Sequence, residues 1–277
     1  MTPDQYCQER AAGSGSSFYY SFLFLEPRRR QAITALYAFC REVDDVVDEC
    51  PDPGLARTKL DWWRGEVAAL YVGRPSHPVT QALSRSLKEF HLPQEQLLEI
   101  IDGMEMDLDQ ARYADFKALH LYCYRVASVV GLLAAEIFGY RERQTLKYAH
   151  DLGLAFQLTN IIRDVGEDAR RGRFYLPQDE LARFAVSEDD LLQARYGDNF
   201  SRLMAFQVER AQAIYQQAFA QLPATDRKAQ RAGLIMSAIY RATLDEIVRD
   251  NYRVLDQRIS LPPLRKLWLA GKTWMAA

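Results

Sequence analysis

"LGLAFQLTNIIRDVGED", residues 152–168, decides how this chain is read. Leu154, Gln157 and Ile161 recur at steps of three and four, the period of an α-helix and not of a strand. Asn160, Asp164 and Asp168 follow at four-residue steps, so their side chains stack on nearly one face, offset by about 40° per step. Far upstream, "YAFCREVDDVVDE", residues 37–49, has a related spacing: Tyr37, Arg41, Asp44 and Asp48 step by four or three. The two segments are either two solvated helix faces or two halves of one site.

Outward from these segments the same periodicity continues. It predicts helices over Pro27–Glu49, 56–71, 78–90, 94–110, 115–139, 142–168, 199–221 and 225–255. Proline and glycine fall between them, in "PDPG" at 51–54, "GRPSHP" at 73–78 and "LP" at 92–93 and 222–223. Alternating strand patterns are absent. The expected fold is all-α, with long helices around one core. No low-complexity linker divides the chain, so residues 1–277 are read as a single domain.

Composition narrows the function. The chain has 35 Lys and Arg against 37 Asp and Glu, a formal charge of -2, which argues against a nucleic acid held by bulk electrostatics. Cys7, Cys40, Cys50 and Cys123 form no CxxC pair, and His77, His91, His120 and His150 show no ligand spacing. Neither a zinc site nor a disulfide framework is expected, and a reduced, cytoplasmic setting fits. The N-terminus lacks a basic region followed by an apolar one, so no secretory signal is expected. No uncharged apolar run reaches about 18 residues, so no transmembrane helix is expected either. Peripheral contact with the inner membrane stays open, because "LRKLWLAGKTWM" at the C-terminus mixes Trp268 and Trp274 with Arg265, Lys266 and Lys272.

Like charges four apart on a helix repel by a few tenths of a kcal/mol, which a solvated face tolerates. Here, though, the acids extend apolar or aromatic stripes, and a second cluster offers opposing ligands. Carboxylates facing each other across a bundle are costly without a cation between them. Mg²⁺, with Mn²⁺ as a substitute, takes oxygen ligands and bridges carboxylates to phosphates. Arg41 and Arg163 adjoin the acids, and "DARRGRFYLP", 168–177, sets Arg170, Arg171 and Arg173 on a glycine-containing loop. Guanidinium groups bond phosphate well. Arg163 is read either as an i,i+4 partner of Glu167 or as a phosphate contact. The loop arginines are read as a solvated run or as a lid. Glu105, Asp107 and Asp109 are read as structural or solvated, and Asp45 and Glu49 as lying off the Asp44 stripe. Ala127, Ser128, Gly131, Ala134 and Ala135 either leave room between helices or simply pack them closely.

Together these residues resemble the squalene/phytoene synthase family of head-to-head prenyltransferases. "SSFYYSFLFL" (16–25), "LYAFCREVDDVVDE" (36–49), "YCYRVASVVG" (122–131), "QLTNIIRDVGEDARRGRFYLP" (157–177) and "RISLPPLRKL" (258–267) stand in the family's order. The opening motif and "YCYRVAS" are most similar to the presqualene diphosphate synthases of bacterial hopanoid pathways. The resemblance implies a helical bundle of the class I isoprenoid synthase type with a central active-site cavity. It implies that Asp44, Asp48, Asn160, Asp164 and Asp168 hold Mg²⁺ against diphosphate. It also implies substrate contacts at Ser14, Gly15, Ser16, Ser17, Tyr37, Arg41, Gln157, Arg163 and Tyr240. Phe18, Arg171 and Arg173 join these as an aromatic and two lid candidates. Tyr122 and Tyr175 stand out among the aromatics by motif position, with hydroxyls suited to proton removal; the released diphosphate is an equal candidate for the base.

The implied reaction condenses two farnesyl diphosphates to presqualene diphosphate, feeding squalene and hopanoid synthesis and its downstream enzymes. NADPH is not expected for this half-reaction, and Arg125 stands where squalene synthases that run both halves typically carry Tyr. Some relatives carry a lysine beside the N-terminal serines, where "SGSS" here supplies hydroxyls and backbone donors only. Rival readings are a complete squalene synthase, a phytoene synthase using C20 substrates, a terpene cyclase and a non-catalytic assembly protein. Terpene cyclases commonly use other acidic motifs, and a non-catalytic protein would be free to lose the five metal ligands that this chain retains.

Overall fold

Pro27 supplies the fixed φ of a first helical turn, and from there Ile33, Leu36, Phe39, Val43 and Val47 recur at three- and four-residue steps, all buried. That stripe makes Pro27–Asp48 one of the two long helices that carry the acids. The computed structural model describes residues 1–13 and 17–276, with all their side chains except those of Ser17, Tyr19 and Tyr20.

Among these residues the chain runs α1 (Pro3–Gly13), α2 (Ser17–Phe22), α3 (Pro27–Asp48), α4 (Pro53–Tyr71), α5 (Pro78–Ser86), α6 (Gln94–Asp109) and α7 (Phe116–Cys123). A π-helical turn (Tyr124–Ser128) leads into α8 (Val129–Phe138). Then come α9 (Gln144–Arg170), α10 (Gln178–Arg183), α11 (Glu188–Leu192), α12 (Asp198–Gln221), α13 (Arg231–Arg249) and α14 (Pro263–Ala276). The described residues contain no strand, only an isolated bridge between Arg112 and Phe174. The all-α expectation holds.

Local signals explain several starts. Asp52 accepts from the backbone N–H groups of Gly54 and Leu55 ahead of α4, and Asp115 from that of Ala118 ahead of α7. Ser187 and Asp190 form a capping box at α11. Other boundaries depart from the periodicity. The expected helix 115–139 is broken by the π turn, where α9 crosses with almost no clearance: a Cβ on Gly153 would lie 2.5 Å from the Ala127 carbonyl oxygen. Phe116–Phe138 is apolar and long enough to cross a membrane by composition alone, but Leu119, Cys123, Val129, Leu133 and Ile137 are buried core. The expected helix 225–255 shortens to α13, because Asn251 and Tyr252 take left-handed φ of 52° and 59° and end it.

Three apolar clusters build the interior, the smallest joining Ile235, Ile239 and Ala242 of α13 to Leu261 and to Ala270 of α14. Of the larger two, one gathers α9, α12 and α13; the other gathers α3 to α6 with α8. α3 and α9 lie alongside each other in the same direction. Arg173, just beyond α9, reaches Asp48 at the end of α3, while Arg29 at its start donates to the Ile137 carbonyl oxygen at the end of α8. Both acidic helix ends therefore come out at one end of the molecule.

Candidate active site

The space between α3 and α9 is a cavity of about 980 Å³. Its walls change character along its length. At the acidic end α3 contributes Arg41, Asp44 and Asp48, and α9 contributes Gln157, Asn160, Arg163, Asp164 and Asp168. Further in, Phe18, Tyr37, Phe156 and Tyr240 form an aromatic collar, with Phe18 5.4 Å from Tyr37 and 6.2 Å from Tyr240 between ring centres. Beyond it the lining is Phe22, Ile33, Leu36, Val130, Ala134, Phe138 and Leu152, closed by Tyr148 and Gln230. From Asp44 to Ile33 along α3, and from Asn160 to Tyr148 along α9, the cavity runs about 16–18 Å from the acids to its far wall.

The turn after α9 completes the acidic end. Gly172 at φ 78° reverses the chain in a conformation that costs glycine nothing. The next residues lace onto 111–114, with Phe174 N–H donating to the Ala111 carbonyl at 2.8 Å and Gln178 N–H to that of Tyr113 at 2.9 Å. This fixes Arg171 and Arg173 over α3, where both bond Asp48, at 3.0 and 2.5 Å. It also swings Tyr175 inward.

Every expected site residue whose side chain is described lines this one cavity: Phe18, Tyr37, Arg41, Asp44, Asp48, Tyr122, Gln157, Asn160, Arg163, Asp164, Asp168, Arg171, Arg173, Tyr175 and Tyr240. Ser14, Gly15, Ser16 and the Ser17 side chain lie outside the description. Of the small residues, Ala127, Gly131, Ala134 and Ala135 line the cavity, while Ser128 is buried and donates to the His150 carbonyl.

Three readings need correction. Arg163 does not pair with Glu167; it makes a two-pronged bond to its neighbour Asp164, at 2.8 and 2.5 Å, at the cavity wall. Arg170 belongs to α9 and not to the loop, and donates to the Leu255 carbonyl at 2.6 Å. Arg125, read from the sequence only as a departure from two-step synthases, pairs with Glu99 at 3.0 Å and is not among the residues that line the cavity. Asp107 is neither solvated nor merely structural. It lines the cavity and accepts hydrogen bonds from the Tyr122 hydroxyl at 3.0 Å and the Tyr175 hydroxyl at 2.8 Å. Its signal was present: Asp107 extends the stripe of Ile100, Gly103 and Met104, all buried, as Asp44 extends its own. Sequence reading also gave no site role to Arg258, in the segment before α14, or to Lys266, on the first turn of α14; both line the cavity, and Arg258 donates to Asp164 at 2.9 Å.

The electrostatics sort the acids. Burial, reinforced by Asp48, pushes the Asp44 carboxyl up to about 7, although 31 % of its side chain still faces the cavity. Burial and then Asp164 push Asp168 up to about 8. Asp107 rises to about 6, burial outweighing the pull of Arg173 and the two tyrosines. Asp164 goes the other way: burial opposes its charge, but Arg163 and Arg258 hold it below the usual carboxylate range. Arg41, bonded to Asp44 at 2.7 Å, does not offset its burial and Asp48, and Asp168 makes no ion pair among the described residues. Asn160 Oδ1 is buried without a hydrogen-bond partner. An all-oxygen set with an orphaned amide oxygen and under-compensated carboxylates suits a hard divalent cation. Among the described residues no three acidic, histidine or cysteine side chains close on one point, so such an ion would need oxygens from water or ligand as well.

The squalene/phytoene synthase family model matches residues 11–265. The chain belongs to that family of prenyltransferases. It is 37% identical to a phytoene synthase of Arthrospira platensis over 94% of this chain and 89% of the relative. It is also 37% identical to a 15-cis-phytoene synthase of Synechococcus elongatus, covering 94% and 89%. The chloroplastic phytoene synthase of Narcissus pseudonarcissus is longer; the chain covers 63% of it at 36% identity. Among solved squalene/phytoene synthase-like structures, a dehydrosqualene synthase with bound ligand superposes at TM-score 0.90, with 29% identity over 99% of this chain and 96% of the other. Squalene synthase HpnC from Alicyclobacillus acidocaldarius superposes at 0.80, with 28% identity over 90% and 94%. The helical bundle is therefore that of the family's synthases.

Proposed function

We propose that the protein joins two farnesyl diphosphates head to head, giving presqualene diphosphate and free diphosphate for squalene and hopanoid synthesis. One observation carries this: Asp44 and Asp48 on α3 and Asn160, Asp164 and Asp168 on α9 line one cavity whose other half is apolar. Such a cavity holds a diphosphate at one end and a prenyl chain along the rest.

Mg²⁺ held by these five residues would supply Lewis-acid stabilisation of the departing diphosphate. The chain's own cations act on the same charge. Arg41, Arg163, Arg171, Arg173, Arg258 and Lys266 line the acidic end and bind phosphate oxygens as the C1–O bond of one substrate breaks, its electron pair leaving with diphosphate. The 2,3-double bond of the second molecule attacks the allylic cation. Loss of a proton then closes the cyclopropane, and the second diphosphate stays attached. The aromatic collar of Phe18, Tyr37, Phe156 and Tyr240 offers π faces to the cation, worth about 0.5–2 kcal/mol each, and the apolar walls keep out water.

Asp107 with Tyr122 and Tyr175 forms the proton-handling group of this reading. Each tyrosine donates to a different oxygen of the carboxylate. A tyrosine oxygen can therefore take the substrate's proton while passing its own to Asp107.

An extended farnesyl tail measures about 14 Å and a geranylgeranyl tail about 19 Å, by counting main-chain carbons at ordinary bond lengths, against about 16–18 Å from the acids to the far wall; the span accommodates a farnesyl tail. Phytoene synthesis from two C20 substrates is the second reading, favoured by the 37% identity to named phytoene synthases. Incubation of the purified protein and Mg²⁺ with each diphosphate, with and without NADPH, decides between them by mass spectrometry of the products. Presqualene diphosphate from farnesyl diphosphate without NADPH is expected. Phytoene as the main product establishes the second reading, and squalene formed only with NADPH establishes a two-step enzyme.

A further inference from the structure

We infer that the outer face of α14 is a docking surface for an anionic lipid bilayer. Helices of water-soluble folds normally turn their apolar stripe inward. On α14 a stripe points out: Leu264, Leu267, Trp268 and Met275 fall at three-, four- and seven-residue steps and are 81, 43, 60 and 77% exposed. The patch extends beyond the helix. Phe24, itself 43% exposed, stacks on Trp274 at 5.7 Å between ring centres, and Leu23 beside it is exposed too. Contiguous apolar surface of this kind marks an interaction site.

Charge selects the occupant. From residue 257 to the end of the sequence there are Arg258, Arg265, Lys266 and Lys272 and no acidic residue, in a protein whose net charge is -2. Of these, Arg258 bonds Asp164, Lys266 lines the cavity and Arg265 is engaged by Glu246, which leaves Lys272 on the outer face. Lys272 lies over the Trp268 ring at 4.9 Å, on the exposed side. Arg28 and Arg30, both exposed, follow Phe24, Arg28 lying 3.7 Å from Glu89. A second copy docked face to face would bring these same cations against each other. A bilayer of anionic headgroups matches them, and indole rings beside lysine are the side chains that settle at a lipid–water boundary. The same helix reaches the cavity from its inner side through Lys266, so a docked bilayer lies beside the space that holds the prenyl chain.

The test is co-sedimentation of the full chain with phosphatidylcholine vesicles, with and without 30 mol % phosphatidylglycerol (roughly the charge density of an acidic leaflet). Expected is binding to the anionic vesicles at least tenfold tighter than to the neutral ones, with a blue shift of tryptophan emission. Trp268→Ser combined with Met275→Ser is expected to lower that partitioning at least tenfold and remove most of the shift, with an unchanged melting temperature. Lys272→Glu is expected to weaken binding severalfold. Equal sedimentation of native and doubly substituted protein overturns the inference. So does a native dimer, seen by sedimentation velocity, that Trp268→Ser converts to monomer without any effect on lipid binding. The readout needs no substrate, so it stands or falls apart from the proposed reaction.

Discussion

Gly166 lies against Leu255 so closely that a Cβ on the glycine would overlap the leucine carbonyl. Its N–H donates to the Val254 carbonyl at 3.2 Å, and Arg170 one turn later holds the Leu255 carbonyl at 2.6 Å. The segment after α13 is thereby laid onto α9 between Asp164 and Asp168. From there Arg258 reaches Asp164, and Ile259, Ser260 and Leu261 close the wall of the cavity.

Gly166→Ala therefore has to lift that segment. Overpacking of this kind costs about 1–3 kcal/mol, and the lift separates Arg258 from Asp164. A lowered melting temperature is expected together with a fall in kcat/KM of at least tenfold. Arg258→Ala, measured beside it, should reproduce much of the kinetic loss with little of the thermal one. If Gly166→Ala melts and turns over like the native protein, the segment is not fixed in this way.

Asp168 gives a prediction in which stability and activity part company. Asp164, Glu167 and Asp107 all crowd its carboxyl with negative charge, and burial adds to the penalty. Asp168→Asn removes that repulsion, so without Mg²⁺ the variant should melt above the native protein near neutral pH. Turnover should nevertheless drop at least a hundredfold. Mg²⁺ should raise the native melting temperature with the logarithm of its concentration above Kd and raise that of the variant much less. A variant that loses stability, or that gains as much from Mg²⁺ as the native chain, speaks against Asp168 as part of a cation site. Chelation of Mg²⁺ should abolish native turnover, and added Mg²⁺ should restore it.

Asp107 separates proton handling from substrate binding. Asp107→Asn keeps a group of the same shape between Tyr122 and Tyr175 but removes the acceptor to which a proton would pass. Loss of a positioned acid–base group typically costs about 10²–10⁴ in rate. The expected change is in kcat, with KM within about threefold, and diphosphate release should slow less than cyclopropane formation. Equal slowing of both steps would assign Asp107 to the ionisation step instead.

The helices and the acidic end were legible because both obey a short period. Asp44 and Asp48, like Asn160, Asp164 and Asp168, advertise themselves by lying on a stripe. Asp107 was obscured by Glu105 and Asp109, which sit two residues away on either side and engage Arg57 and Arg64 at the surface. Arg258 heads the motif "RISLPPLRKL", but no local pattern gave it a role in the site. Its partner lies 94 residues away, and the segment between α13 and α14 has no period to place it. The π turn was hidden for a similar reason: it answers to the backbone of α9 at Gly153, a tertiary demand with no local mark in "YCYRVAS".

Asp226 ties the turn between α8 and α9 to the chain ahead of α13, and it makes the protein acid-sensitive in a defined window. Its carboxylate accepts the N–H groups of Arg141 at 2.8 Å and Glu142 at 3.0 Å and the Thr145 hydroxyl at 2.7 Å. Burial opposes ionisation, but the Thr145 hydroxyl and the two backbone donors outweigh it and hold the carboxyl below the ordinary range. In the unfolded chain the same group titrates near about 3.9. A folded value below the unfolded one means that its contribution is complete above about pH 4 and is lost as pH falls through the folded value. Asp226→Asn, which leaves at least two donors facing an amide that cannot serve them as well, should cost about 1–3 kcal/mol at pH 7. The gap between native and variant in urea unfolding should shrink steadily from pH 4 to pH 2. A gap that stays constant over that range would show that the carboxylate's charge is not what holds the turn.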